Sequence, residues 1–291
     1  MSKKLKNNLW GWAFVLPSFL VLIVFVAWPI LRSFYLSLTD YNVLKPPVFT
    51  GFKNYISAFK DPFVQASFKN TFQYVLTTVP IQTILSMIVA AIIAMRFQNR
   101  YGRFVKGCMF VPVISSSVLV GTLFTLLFDS SKGIINMVIG FFGVSPINWL
   151  GQKGTALLTV CIATIWKNVG YFLVIFYAGI MDIPVSYYEA AEVDGATKVQ
   201  QFIHITLPCL KPITYLVVTL GIIWSFQAFD MVYAMTQGGP GKSTYTMVYT
   251  IYNAAFREYR MGYACAVALV LFLFILIVNN VQKLFLGGDN K

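Results

Sequence analysis

Along most of this chain apolar residues run on without charge, and the runs are long. They cover residues 9–31, 70–95, 107–128, 154–181, 212–235 and 261–282, interrupted only by Lys167 in the fourth and Asp230 in the fifth. As an α-helix each run is long enough to cross the hydrocarbon core of a bilayer, which takes about 20 residues at about 1.5 Å each. Strands of a membrane barrel alternate polar with apolar over about ten residues, and these runs do not. The pattern predicts an all-α integral membrane protein with about six transmembrane helices.

Two runs need arbitration. The first follows Lys3, Lys4 and Lys6 like a secretion signal. It is too long for one and lacks a small-residue cleavage pattern, so it reads as a retained first helix. Trp10, Trp12 and Trp28 stand near its ends, where indole rings favour the water boundary. Residues 134–152 are also uncharged, but Gly140, Gly143 and Pro146 interrupt them. They are expected to be interfacial or re-entrant, because a seventh crossing would invert everything that follows.

Composition agrees with lipid as the solvent: 58% of residues are hydrophobic and 11% charged, against roughly 25% charged in a soluble domain. The net charge of +12 would raise nucleic acid as a partner. The basic residues sit between apolar runs rather than in a stripe, so no nucleic-acid binding is expected. Cys108, Cys161, Cys209 and Cys265 show no paired spacing and imply neither a disulfide framework nor a zinc site. His204 is the sole histidine, which rules out a histidine triad or multi-histidine metal site within this chain. No catalytic residue and no metal is expected. Gly238 to Thr244 looks like a P-loop, but the leading glycine position holds Thr236 and no strand precedes it, so a turn is expected.

The short connection with Arg96, Arg100, Arg103 and Lys106 is densely basic. By the positive-inside rule it belongs in the cytoplasm, and with it the N-terminus, the 182–211 loop and the C-terminus. The expected division is a cytoplasmic N-terminus (1–8), a first helix with external loop (9–66), a five-helix transmembrane domain (67–286) and a tail (287–291).

The 182–211 loop carries the most local information. Ser186 followed by Glu189 predicts a capping box, and acidic groups suit the positive end of a helix dipole. Gly195 supplies a positive φ to end that helix. A second helix over 196–206 would present Val199, Phe202, Ile203 and Ile205 until Pro208 blocks it. Ala190 and Ala191 leave a closely approachable surface that suits a groove on a partner.

Glu189-Ala190-Ala191, then Gly195, then Ile205, Leu207 and Pro208 match in full the EAA signature of ABC importer permease subunits, which this loop resembles. The resemblance runs from about Trp10 to Phe285. It narrows to the carbohydrate-uptake branch with the maltose and glycerol-phosphate permeases through Phe49-Thr-Gly-Phe-Lys-Asn-Tyr55, Gly195-Ala196, Gln201-Phe202, Thr236-Gln-Gly-Gly-Pro240, Ile251-Tyr-Asn-Ala-Ala-Phe256 and Gly262-Tyr-Ala264.

The resemblance implies the type I ABC importer permease fold with a cytoplasmic coupling-helix loop. Glu189, Ala190, Ala191, Asp194, Gly195, Ile205, Leu207 and Pro208 would dock on an ATPase. It further implies a second homologous permease subunit, two ATP-binding subunits that hold ATP and Mg, an extracytoplasmic solute-binding protein, and a sugar or related polar solute. The location would be the bacterial inner membrane, and this chain would bind no cofactor itself.

Lys167 and Asp230 lie well inside expected spans, where an insertion cost of about 2.5–3.5 kcal/mol per charge favours facing the bundle interior or water. Either they belong to a substrate pathway or they sit near span ends and make structural bonds. Trp166, Asn168, Tyr171, Trp224 and Gln227 are near them in sequence, and such rings and amides suit sugar faces and hydroxyls. Two rivals stand against the importer. An ion-coupled secondary transporter needs inverted repeats and several intramembrane acids, and a polytopic membrane enzyme needs a cluster of His, Asp or Glu at the membrane face. Asp230 is a single acid, and the other acidic residues gather at 189–194.

Overall fold

A computed structural model of the chain describes residues 3–97 and 99–286; the expected tail at 287–291 lies outside the described residues. The described chain is helical apart from connections and one antiparallel pairing of Thr39–Asp40 with Val48–Phe49. It divides into two units, one holding the residues up to Asp61 with Ile251–Val270, the other Pro62–Thr250 with the residues from Leu271 on.

In the first unit a single helical run covers residues 3–37, with a wide π turn at Ile23–Ala27. The wide turn lies just before Pro29, which has no N–H to give and whose ring crowds the preceding turn; an extra residue relieves both problems. From Phe14 on the large apolar side chains of this run, Phe14 at 80% exposure among them, are left uncovered, as a lipid-facing helix requires. The run ends where Asn54 donates from Nδ2 to the carbonyls of Ser37 (2.9 Å) and Thr39 (2.8 Å), and Ser37 Oγ meets Tyr55 Oη at 2.7 Å. Tyr263 Oη donates to Asp61 at 2.7 Å.

The second unit is built on two long helices, Pro62–Arg96 and Ala156–Met181. Ala94, Met95, Ile180 and Met181 border one hollow, while Ala66, Lys69, Leu157 and Leu158 border another. The two helices therefore run parallel, with like ends together. The second of them crosses the Arg100–Ile114 helix closely enough that a Cβ on Gly170 would stand 1.8 Å from the Met109 carbonyl oxygen.

Four described helices are long and apolar enough to cross a membrane, and six crossings result if each of two bent pairs is one span. The expectation of about six thus stands, but two expected spans are not single helices. The run 107–128 is broken at Ser115 and Ser116 into Arg100–Ile114 and Ser117–Leu127, bent by 100°. Pro112 removes a donor there, and both serines adopt extended backbone. The run 212–235 is broken after Phe226 and resumes at Asp230–Met235. Of residues 134–152 only Ile134–Gly140 is helical. The rest is tied down by Asn136, which donates to the Ile147 carbonyl (2.9 Å) and accepts from Trp149 Nε1 (2.9 Å).

Two apolar cores fill this unit. One gathers Tyr74, Val120, Phe124, Val160, Met231 and Tyr249; the other gathers Met87, Ala90, Phe172, Phe176, Leu210 and Val217. Between them lies a buried polar belt: Tyr74 Oη donates to Thr164 Oγ1 (2.7 Å), Thr78 Oγ1 meets Ser225 Oγ (3.0 Å), and Ser86 Oγ donates to the Val169 carbonyl (3.1 Å). Each bond spares a polar group the cost of burial unpaired.

Candidate functional site

Two sites emerge at different levels of the second unit. The first is an elbow of two helices between the Ala156–Met181 helix and the one that starts at Lys211. Its first arm, Val185–Val193, begins at Pro184, with no side chain capping it. Ser186 is already helical, so the expected Ser186–Glu189 capping box does not form. The box forms one helix later: Thr197 Oγ1 accepts from the Gln200 N–H (3.3 Å), and Gln200 Oε1 accepts from the Thr197 N–H (2.7 Å). The same Ser/Thr-x-x-Glu/Gln pattern occurs twice here, and Pro184 fixes the first helix start two residues too early for Ser186 to serve.

Between the arms Gly195 has φ +78°, and the Ala196 N–H reaches back to the Ala191 carbonyl at 2.8 Å, closing the first helix as a glycine cap does. The second arm does not stop before Pro208. It runs from Lys198 to Cys209 through a wide turn at Phe202–Thr206, the same device that precedes Pro29. Leu210 is fully buried at the break, and the next helix leaves at 67°.

Five side chains, none of them a signature residue, hold the elbow closed. Tyr188 Oη meets Thr206 Oγ1 at 2.9 Å, and Gln201, 1% exposed, donates from Nε2 to the Tyr188 carbonyl at 3.4 Å. Lys198 pairs with Glu192. The hydrogen bond from the Lys198 ammonium, then one from Gln201, then the Lys198 charge hold the Glu192 carboxyl below its ordinary range. Gln201-Phe202 was the one sequence signal of this, as a flank of the signature.

The signature residues are distributed around the elbow. Glu189 borders a hollow of about 370 Å³ with Tyr188, Glu192 and Lys198. Ala191, Asp194, Gly195 and Ile205 share a second hollow of about 290 Å³ with His204, whose Nδ1 lies 3.0 Å from the Gln200 carbonyl. Ala190, Leu207 and Pro208 are exposed. Around them stand uncovered apolar groups, Val185, Tyr187, Val199 and Val193, the last 89% exposed.

The second site is a cavity of about 240 Å³ at the level of the polar belt. Lys167, Asn168, Trp224, Gln227 and Asp230, five of the expected pathway residues, line it together with Ser117 and Thr164. Tyr171 does not; its ring packs on Trp224 with centroids 4.9 Å apart. Trp166 packs on Phe124 instead, at 5.4 Å.

Helix breaks explain how this site tolerates two charges. Lys167 Nζ donates to the Val113 carbonyl at 3.2 Å, one of the carbonyls freed where the Arg100–Ile114 helix stops. Asp230 opens the Asp230–Met235 helix, at its positive end. Among the described residues no ion pair joins Lys167 to Asp230. Each has a helix terminus for company while it also lines the cavity.

The turn at 238–244 is closed by Thr244, whose Oγ1 donates to the Gly239 carbonyl (2.8 Å) and meets Thr236 Oγ1 (2.8 Å).

Residues 82–286 match the family described as binding-protein-dependent transport system inner membrane component. The probable ABC transporter permease protein YurN of Bacillus subtilis is 32% identical, over 98% of this chain and 99% of that protein. The arabinooligosaccharides transport system permease protein AraP of the same organism is 31% identical, over 96% and 88%. A chain of a bacterial ABC transporter that imports the acidic polysaccharide alginate superposes with a TM-score of 0.87 at 22% identity, covering 99% of both chains. That likeness assigns the fold.

Proposed function

This chain belongs to the family of binding-protein-dependent transport system inner membrane components, and from that membership we infer that it is a permease subunit of an ATP-driven importer of sugars or related polar solutes. Relatives named for arabinooligosaccharide transport and a neighbour in fold that imports alginate support the solute class. Ion-coupled transport is not favoured, since neither the family nor these relatives work that way. The subunit is embedded in the inner membrane with its N-terminus, its C-terminus and the elbow in the cytoplasm.

The elbow carries the reading. A partner ATPase would take the surface around Glu189, Ala190, Ala191, Asp194, Gly195, Ile205, Leu207 and Pro208, which supports a docking role because apolar groups are left uncovered beside those residues. Both long helices end at this level, so a push on the elbow reaches the cavity through Ala156–Met181 and through the helix that starts at Lys211. In the assembly ATP and Mg are held by two ATP-binding subunits, and their closure biases the permease between inward-facing and outward-facing states. This chain supplies no catalytic group. A second homologous permease completes the pathway, and a binding protein outside the membrane delivers solute.

Within the pathway Trp224 offers a flat apolar face, Asn168 and Gln227 offer amides, and Lys167 and Asp230 offer charges to a polar solute, with Tyr171 behind Trp224. The test is copurification of the ATPase and solute-stimulated ATP hydrolysis, for wild type and for Glu189→Ala combined with Gly195→Asp. Loss of both in the variant, with normal insertion, is the expected result. A variant that couples normally would sink the docking role.

A further inference from the structure

We propose that the cleft between the N-terminal ends of the Pro62–Arg96 and Ala156–Met181 helices binds the phosphate of an anionic phospholipid headgroup. The cleft holds about 840 Å³, the largest of the hollows described above. Three lysines border it from three parts of the chain: Lys69 from the first helix, Lys153 from just before the second, and Lys242 from the 238–244 turn. Among the described residues none of the three pairs with a carboxylate. Uncompensated like charges around one hollow repel each other, and an anion between them removes that cost.

The turn that carries Lys242 is fixed against the first helix. Asn70 Nδ2 donates to the carbonyls of Lys242 (2.7 Å) and Tyr245 (3.0 Å), which binds the turn to the helix. Lys242 Nζ lies 4.4 Å from the centre of the Phe63 ring. Ser243 is on the same border, and its buried Oγ has no hydrogen-bond partner, a donor that a small side-chain rotation would turn toward an anion in the cleft.

Walls and depth select a lipid over a soluble anion. Leu76 and Leu158, 58% and 46% exposed, continue the cleft along the two helices toward the middle of the bundle, a path for an acyl chain. Lys69 lies about two turns into its helix, where the uncharged run from residue 70 begins, and Lys153 lies just before the second helix; flanks of apolar runs are the level at which lipid phosphates lie, where each basic residue adds attraction to an anionic lipid. The argument uses neither the identity of the solute nor the side of the membrane the elbow occupies, so it stands or falls apart from the importer reading.

The experiment is native mass spectrometry of the assembled transporter titrated with phosphatidylglycerol and, separately, phosphatidylcholine. Wild type should retain phosphatidylglycerol preferentially. Lys69→Gln/Lys153→Gln/Lys242→Gln should lose about tenfold or more in retention, and Lys45→Gln/Lys132→Gln/Lys211→Gln should lose none. Because the triple variant could fail to assemble, wild type is also labelled with a photoactivatable phosphatidylglycerol, which should mark peptides containing residues 66–77 and 153–161. Equal retention by both variants would overturn the proposal, as would label confined elsewhere. Displacement of the lipid by inorganic phosphate at matched concentration would also overturn it, making this a site for free anions, and so would a cleft found covered by the second permease.

Discussion

Lys167 holds the loose end of a helix that is not its own: its ammonium sits 3.2 Å from the carbonyl oxygen of Val113, two residues short of the break at Ser115. Ordinarily the last carbonyls of a helix need water or a cap. Here a lysine from the neighbouring long helix provides one and remains at the edge of the cavity. Lys167→Met should therefore leave a partly buried carbonyl without its partner and cost about 1–3 kcal/mol, the range for a polar group left unsatisfied. Thermal unfolding in detergent would read this as a lower Tm, and an unchanged Tm together with lost transport would place Lys167 in the pathway alone.

Gly170 allows the crossing that brings those helices together. A methyl group there would meet the Met109 carbonyl oxygen at 1.8 Å and Val113 Cγ2 at 3.2 Å. Neither the backbone carbonyl nor its helix can yield cheaply, so Gly170→Ala should destabilise by about 1–3 kcal/mol as overpacking does. Gly107 is the control, since nothing lies within 4 Å of its would-be Cβ. Gly107→Ala should be neutral or stabilising by up to about 1 kcal/mol from helix propensity. Equal Tm values for the two variants would refute the close crossing.

Much of this was legible in the chain because it depends on composition and period. Uncharged runs mark the lipid-facing helices however they pack, so the crossings at 62–96, 156–181 and 261–284 follow from the sequence. Pro112 and the serines after it signalled the break in the 107–128 run, but hydropathy alone reads through them because serine costs little in such a window. Pro208 misled in the opposite direction: a proline ends a helix only if no extra residue widens the turn before it, and Phe202–Thr206 supplies that residue. The cavity was half legible. Lys167, Asn168, Trp224, Gln227 and Asp230 stand out as polar or aromatic groups in apolar runs. That Tyr171 backs Trp224 instead of joining them depends on rotation about the helix axis, which no pattern fixed.

Acid should loosen the elbow. The Glu192 carboxyl is held below its ordinary range by Lys198, so its pairing contributes stability that is present above the ordinary carboxylate pKa. That contribution is lost as pH falls through the lowered folded value. Amide hydrogen exchange across residues 185–209 should accelerate only on the acid side of the ordinary carboxylate range, after correction for intrinsic rates, and high salt should mimic part of the change. Glu192→Gln should remove that acid dependence. A wild-type profile parallel to that of Glu192→Gln would show that the pair does not hold the arms.

The stacking of Tyr171 on Trp224 separates contact with solute from support of the contact. Trp224 borders the cavity and Tyr171 lies behind it with ring centroids 4.9 Å apart. Trp224→Ala removes the face a sugar ring would use, and uptake measured with the transported solute should show KM raised by about tenfold or more. Tyr171→Ala leaves that face present but free to turn, and an aromatic pair is worth about 0.5–1.5 kcal/mol, so KM should rise by about two- to tenfold. With Trp224 already gone there is nothing left for Tyr171 to position, and the double variant should resemble Trp224→Ala rather than the product of the two. Multiplicative losses would mean that Tyr171 meets the solute by itself, in a state where it turns toward the pathway.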